Sequence, residues 1–369
     1  MNKLKYITYQ TFPANTANSL QTISNLVGLA NNNVNVELFF PLREKFSNDQ
    51  LSVLQDFYKF NSCFKVIGVK HSYPHGRFRS FPRVLFHISH YLWAKKIVKK
   101  NFKNDQKSIF FTRSDWVLYF LAKQGSNVTF ECHQTSSLRD RILKKIQHYE
   151  NVKIIFLNKH LKENYNLATK SIILQNGVDE KYLVLSRQRF KKPLTIIFTG
   201  NISRFNKSRG LGEVIEWFKD NKLSNNYKLE IIGGSLQDIA NLENKIEKIN
   251  LNNIVKITPW SSKDFVIKRM QKSSIGLMIN SPENLHSYYF TSPLKYFEYL
   301  YSGLKILAVD FPAHKSLPLN KYISFFEYGN KESFIEALKN IDFNQLPSEE
   351  ELKEISIETR AKKIIEFIF

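Results

Sequence analysis

The stretch 194-LTIIFTGNISRFNKSRGLGEVIEWF-218 decides the fold. Leu194–Thr199 is a short, largely apolar run, the pattern of a strand buried on both faces, and it stops at Gly200. A loop carrying Arg204, Lys207 and Arg209 follows, and beyond Gly210 the apolar spacing becomes helical over Gly212–Phe218. Strand, glycine turn and helix make the opening half of a βαβ unit. This opening stands near the middle of the chain, and another stands at its beginning.

Working back, Leu4–Tyr9 predicts a first strand. The loop 10-QTFPANTAN-18 follows, with Asn15 in it, then a helix over Ser19–Ala30 (Leu20, Ile23, Val27, Leu29) and a strand over Val34–Phe40. Further strand-length apolar runs lie at Phe64–Val69, Ser108–Thr112, Asn127–Glu131 and Lys153–Leu157. Working forward, Lys228–Ile232 ends at Gly233-Gly234, and Ile254–Thr258, Ser274–Ile279 and Lys305–Val309 continue the series. Short buried strands alternating with helices predict parallel, doubly wound sheets. The expected fold class is therefore α/β, with two Rossmann-like domains facing across a cleft. Lys191-Lys192-Pro193 reads as the linker, which places the domains at 1–188 and 189–355. The amphipathic end 356–369 (Ala361, Ile364, Ile365, Ile368) is expected to return to the first domain as a helix.

Charge is uneven. Residues 1–185 hold 27 Lys/Arg against 12 Asp/Glu, and the remainder 27 against 21. From Phe57 to Asn104 there is no acidic residue and there are eleven basic ones, among them Arg77, Arg79, Arg83, Lys95, Lys96, Lys99 and Lys100. Leu85, Ile88, Leu92 and Ile97 are expected along one side of a helix there. A basic amphipathic helix with flanking aromatics points to an anionic membrane surface at residues 77–103, with nucleic acid as the competing partner. Only Cys63 and Cys132 are present, without metal-ligand spacing, which fits a reducing, cytoplasmic setting. The N-terminus is too polar and short for a signal peptide, and no apolar run approaches the roughly 20 residues of a membrane span.

Ligands of doubly wound sheets bind at the carboxyl ends of strands, so the residues just past each strand carry the functional reading. The loop from Gly200 and Asn201 to Gly210 sets three cations between a strand and a helix, where a diphosphate would meet positive charge and backbone N–H groups. Gly233 and Gly234 lack side chains that would keep a ligand away. The strand Ser274–Ile279 runs into Asn280-Ser281-Pro282-Glu283, and then comes 292-SPLKYFEYLYSG-303. This segment predicts a helix with Ser292 as N-cap, Pro293 at its first position and Gly303 as the left-handed residue that ends it. Lys295 in the first turn adds charge to the positive end of the helix dipole, a place for a phosphate, and Glu298 one turn on suits ribose hydroxyls. In the first domain Glu131 and His133 flank Cys132 at a strand end, and alternation puts them on one side, where they could place an acceptor hydroxyl or serve as a base. Arg113 also follows a strand and could meet either a phosphate or Asp115. Asn176-Gly177-Val178-Asp179 reads as a turn. There is no P-loop, no GxGxxG and no Asp-x-Asp pair, which argues against an NTPase, against NAD or FAD, and against a metal-held diphosphate.

These segments, in this order, resemble the GT-B glycosyltransferases of the large retaining family 4, the type that builds bacterial cell-surface polysaccharides. The resemblance runs nearly end to end. It is carried by Phe12-Pro13 with Ala17-Asn18-Ser19, by Glu131-Cys132-His133 (similar to the family's E-x-H), and by Asn176-Gly177-Val178-Asp179 (its N-G-V-D). In the second half it is carried by Thr199-Gly200 with Arg209-Gly210 (its G…K-G donor loop, arginine for lysine), Ile231-Ile232-Gly233-Gly234, Ser292–Tyr299 (a S-P-L-K-x-F-E-Y helix) and Thr359-Arg360-Ala361. The resemblance implies a GT-B fold and retaining sugar transfer from a nucleotide sugar, UDP- or GDP-linked, to a glycan or lipid-linked acceptor, with no further cofactor. It implies that Glu298 binds the donor ribose, that the Ser292–Leu294 backbone binds the diphosphate, and that two cations among Arg204, Lys207 and Arg209 offset leaving-group charge. One departure stands out: the family's second glutamate, eight positions before Glu298, is Phe290 here. Two other readings stay open, a non-catalytic basic module binding membrane or nucleic acid, and a GT-B sugar-nucleotide epimerase.

Overall fold

The apolar runs become parallel strands in two separate sheets. The computed structural model describes residues 2–72, 82–103, 105, 107–183, 192–204 and 207–369. Arg77, Arg79 and the rest of 73–81 lie outside them, as do Lys191 and the expected boundary at 188/189. The chain divides instead between Gln175 and Asn176: Met1–Gln175 joins Ile357–Phe369 in one unit, and Asn176–Ser356 forms the other. The division falls early because the segment after Gln175 is tied to the second unit. The Val178 N–H donates to the Ile355 carbonyl, and Tyr182 lies in the second unit's core. For the same reason 176–179 forms no turn, and Val178 bridges to Ser356.

The first sheet contains β1 (Lys3–Ile7), β2 (Asn35–Leu42), β3 (Lys65–Lys70), β4 (Ile109–Thr112), β5 (Val128–Cys132), β6 (Val152–Phe156) and β7 (Ser171–Ile173). Its order is β3-β2-β1-β4-β5-β6-β7, all parallel. The second unit contains β8 (Leu194–Thr199), a two-stranded ribbon of β9 (Ser203–Arg204) and β10 (Lys207–Ser208), then β11 (Tyr227–Ile232), β12 (Val255–Thr258), β13 (Ile275–Met278), β14 (Lys305–Val309) and β15 (Ile323–Phe326). Its sheet runs β12-β11-β8-β13-β14-β15, again all parallel. Both sheets thus build outward from their first strand in one direction and then the other. The reversal, at β1/β4 and at β8/β13, is where such sheets open a crevice beyond the strand ends. β5, β13 and β14 are buried at every residue, and their few polar positions, such as Glu131 and Lys305, are taken up by partners.

The Ile357–Ile368 helix packs on the Ala17–Asn31 helix, and Ala361, Ile364 and Ile368 join the core of the first unit. Gly28 marks the close approach: a Cβ there would stand 3.1 Å from the Ile357 carbonyl oxygen. The Lys153 ammonium closes the end of this helix by donating to the Phe367 and Ile368 carbonyls, each at 2.9 Å.

Two sequence expectations change. In the Pro82–Asn101 helix, Ile97 is 1% exposed whereas Ile88 is 49% exposed, so the expected apolar stripe is not one face. Five positions turn a helix by about 500°, which carries Ile97 some 140° away from Leu92. The outward face carries Val84, Ile88 and Leu92, then Lys96, Lys99 and Lys100. The second change is at 292–303, where the helix proper is Leu294–Tyr301 and Pro293, with φ −74° and ψ 124°, is its cap. Ser292 lies outside the helix because Asn176 grips it twice. The Asn176 N–H donates to Ser292 Oγ at 3.2 Å, and Asn176 Nδ2 to the Ser292 carbonyl at 2.5 Å. The far end is as expected: Gly303 has φ 80°, the Gly303 N–H reaches the Leu300 carbonyl and the Leu304 N–H the Tyr299 carbonyl, each at 3.0 Å.

Candidate functional site

In the second unit the loop after β8 and the Leu294–Tyr301 helix bring cations to one place. Tyr299 ties the helix to the end of β8: its hydroxyl accepts the Thr199 N–H at 2.9 Å. Lys295, one turn earlier, lays its ammonium 3.8 Å from the centre of the Phe198 ring, and the Arg209 guanidinium stands 5.9 Å from the same ring. Arg209 crosses the switch point of the sheet, donating through Nη1 to Asn280 Oδ1 at 2.7 Å. Arg204 donates to Ser287 Oγ at 3.4 Å from the ribbon. Among the described residues Lys295 Nζ and Arg209 Nε are buried without a hydrogen-bond partner.

These charges oppose one another. Burial, then the charges of Arg209 and Arg204, hold the Lys295 ammonium well below the ordinary lysine range, against a weaker pull from Glu298. Burial and Arg204 bring Arg209 down to about 10, and burial lowers Arg204. A bound anion would relieve this repulsion. Glu298 faces Tyr182 instead: burial and the Glu298 carboxylate, which shares a hydrogen bond with it, push the Tyr182 phenol far up.

Lys207 does not join the group. It pairs with Glu283 at 2.7 Å, and both side chains are half exposed or more. The ribbon explains this, since Lys207 pairs with Arg204 across two short strands and lies on its exposed part. Gly200 and Gly233 have φ 113°, and Gly234 has φ 100°. A Cβ on Gly233 would stand 2.7 Å from the Gly200 carbonyl oxygen, so these glycines let two strand ends pack against each other. Asn201 is exposed beside them. Phe290 lies half-buried in the helical turn His286–Phe290 that precedes the helix. A recess of about 970 Å³ in this unit opens beside Leu194 and Tyr227, at the opposite, amino-terminal edge of the strands.

Three participants escape a local reading of the sequence: Phe198, Tyr182 and His314. The His314 Nδ1–H donates to the Val309 carbonyl at 2.8 Å, and its Nε2 is buried without a partner. Burial and the nearby Lys295 charge bring this imidazole down to about 4, although the bond to Val309 opposes them. An apolar-to-polar switch at the end of β14 is the only local signal for it.

In the first unit the predicted pair forms. His133 Nε2 lies 2.7 Å from Glu131 Oε2. The Glu131 carboxylate is fully buried and also meets Arg360, with Arg113 Nε at 3.8 Å. Arg360 completes its fork on Asn25 Oδ1 and the Gln175 carbonyl, each at 2.7 Å. Burial pushes the Glu131 carboxyl up, but Arg360, His133 and Arg113 outweigh it and hold it well below the usual range. Burial and Arg113 bring His133 down to about 3 despite the pull of Glu131. With Glu131 ionised and His133 neutral, the shared proton belongs on Nε2, which leaves Nδ1 a lone pair. Arg113 bonds Gln21 Oε1 and Asn18 Oδ1, each at 3.1 Å, rather than Asp115. Asp115 is held by Arg139 at 2.7 Å. Asn15 is exposed ahead of the Ala17–Asn31 helix. Among the described residues no three His, Cys, Asp or Glu side chains form a metal set, and no helix is long and apolar enough to cross a membrane.

No family model and no curated protein sequence matches the chain. Its fold does match solved structures. Sucrose-phosphate synthase from Thermosynechococcus elongatus aligns with a TM-score of 0.73 at 13% identity, over 99% of this chain and 98% of that one. The lipopolysaccharide outer core galactosyltransferase WaaB, in its apo form, aligns at 0.68 and 14% identity, over 100% and 99%. HepE from Anabaena, in complex with UDP and glucose, aligns at 0.64 and 10% identity, over 99% of each chain. At these identities the likeness establishes the fold, two parallel-sheet Rossmann-like units of the GT-B type.

Proposed function

We propose that the protein is a retaining, metal-independent glycosyltransferase that moves a sugar from a nucleoside-diphosphate donor to a hydroxyl of a lipid-linked or cell-surface glycan. The observation that carries this reading is the convergence of Arg209 and Lys295 on Phe198 at the strand ends of the second unit, with Arg204 close enough to repel both and two nitrogens buried and unbonded among the described residues. The fold likeness to HepE, which binds UDP and glucose, supports it. As the bond from the anomeric carbon to the diphosphate breaks, negative charge grows on the leaving oxygens. Fixed cations and the N-terminal N–H groups at Leu294 and Lys295 are worth several kcal/mol to that charge. Glu298 takes the ribose hydroxyls, with Tyr182 holding its carboxylate. Gly200, Asn201, Gly233, Gly234, Ser292 and Pro293 line the donor. In the first unit the lone pair on His133 Nδ1 accepts from the acceptor hydroxyl, with Arg113, Glu131 and Asn15 on the acceptor side. Retention is what the family resemblance implies.

A thermal-stabilisation panel of UDP-, GDP-, ADP- and CMP-sugars tests the reading. A UDP- or GDP-sugar is expected to stabilise the chain, and Glu298→Ala to weaken that nucleotide about tenfold, or 1.4 kcal/mol. Stabilisation by DNA, RNA or lipid alone would sink it in favour of the basic module, and conversion of the sugar nucleotide without an acceptor would favour the epimerase.

The outward face of the Pro82–Asn101 helix, apolar at Val84, Ile88 and Leu92 and then basic at Lys96, Lys99 and Lys100, supports work at an anionic membrane surface, the inner face of the plasma membrane. Reversing those three lysine charges is expected to abolish salt-sensitive binding to phosphatidylserine vesicles. If the wild type ignores such vesicles at low salt, the idea is wrong.

A further inference from the structure

Beyond the carboxyl ends of β1, β2 and β3, three adjacent strands, stand Tyr9, Arg43 and His71. The Pro82–Asn101 helix covers them with Phe86, His90 and Trp93. The Tyr9 ring is the centre of the group. His90 stacks on it at 4.4 Å and 12°, Trp93 lies 5.5 Å away, and the Arg43 guanidinium stands 4.7 Å from its centroid. Arg43 is also 5.6 Å from the Phe86 ring. The Tyr9 hydroxyl bonds His71 Nε2 at 2.9 Å.

Four polar atoms here are unsatisfied: among the described residues Arg43 Nε and Nη1, His90 Nε2 and Trp93 Nε1 are buried without a hydrogen-bond partner. Buried polar atoms are bonded in the great majority of cases, so four unbonded atoms around one ring are exceptional. Two of the side chains are nearly inaccessible, His90 at 7% and Trp93 at 1% exposure. The carboxylate beside Arg43, Glu44 Oε1, lies 3.6 Å from Nε, too far for a hydrogen bond. A guanidinium keeps its charge and presents a planar fork, and an indole N–H can only donate. A guanidinium fork and a donor-only N–H set around one ring suit an oxyanion. His71, Phe86, His90 and Trp93 come from the stretch Phe57 to Asn104, which holds no acidic side chain; Tyr9 and Arg43 lie outside it. Phe86, 38% exposed, adds an apolar rim.

We propose that Arg43, with Tyr9, His71, His90 and Trp93, forms an oxyanion-binding subsite of the first unit, which takes the phosphate or carboxylate of an acidic acceptor. The word acceptor rests on the transferase reading; the oxyanion site does not. The subsite selects acceptors by charge, at strand ends separate from Glu131 and His133.

The test is a titration of the full chain at pH 7.5 with inorganic phosphate and, separately, with glucuronate, followed through the imidazole resonances of His71 and His90. His314 in the second unit serves as the internal reference for anions entering among the donor-side cations. Saturable millimolar shifts of His71 and His90 are expected, weakened at least tenfold by Arg43→Gln. Arg43→Lys, which keeps the charge and loses the fork, is expected to fall between and carries the test if the glutamine variant does not fold. A response to phosphate alone identifies a phosphorylated acceptor, to glucuronate alone a uronic acid, and to both an oxyanion site that does not discriminate. No saturable shift with either anion, or an unchanged shift in the Arg43 variants, overturns the proposal. If these shifts occur and no nucleotide binds, the transferase reading falls and the oxyanion site stands.

Discussion

Glu131 in the first unit and Lys295 in the second are both charges at the carboxyl edge of a parallel sheet, and their surroundings are opposite. Around Glu131, Arg360, Arg113 and His133 close on one carboxylate, and every strong bond of the group is internal to the protein. Around Lys295, Arg204 and Arg209 add like charge, Glu298 is turned to Tyr182, and two nitrogens are left unbonded. A closed charge network is costly to break, because losing one member leaves another buried and uncompensated. An open one is held together by the fold and gains only when an anion arrives. On this comparison the first cluster is chiefly architecture and the second chiefly chemistry.

The comparison breaks most readily at Glu131. Glu131→Gln leaves Arg360 buried and unpaired, and the expected cost is about 3–5 kcal/mol in urea unfolding of the first unit. A loss under about 1 kcal/mol would mean that the network is not closed. In the second unit the expectation is reversed. Arg209→Gln should leave the unfolding midpoint unchanged or raised, since it relieves repulsion, while initial rates fall about a hundredfold, or 2.7 kcal/mol. The smallest effect belongs to Lys207→Ala, for which less than a twofold change in rate is expected because its charge already meets Glu283 at the surface. If Lys207 proves the more damaging substitution, the ribbon must rearrange around the donor and the open cluster has been drawn around the wrong cation.

Much of this was legible in the sequence, for identifiable reasons. Strands buried on both faces write themselves as apolar runs, so Leu194–Thr199 and Lys305–Val309 match to the residue. β7 and β15 have no counterpart among the expected strands; both are partly exposed strands at a sheet edge. The Glu131–His133 contact follows from alternation along one strand. What failed depended on distant partners. Nothing near Ser292 foretells that Asn176 will hold it out of the helix. Lys295 is legible as a cation at the helix start, but the Phe198 ring beneath it is not. Tyr9 falls inside the expected strand Leu4–Tyr9, and Arg43 and His71 carry no motif, so only the packing around the Tyr9 ring singles them out.

The division of the chain also sets an order in time. The first unit is made of residues at both ends of the sequence, while the second is continuous. During synthesis Glu131 emerges long before Arg360, the guanidinium that compensates its burial. Until Ile357–Phe369 docks, the unit encoded first carries an uncompensated carboxylate at its centre, while Asn176–Ser356 holds every strand of its own sheet. The Ile357–Ile368 helix thus acts as the latch of the first unit, bringing the guanidinium that closes its buried charge.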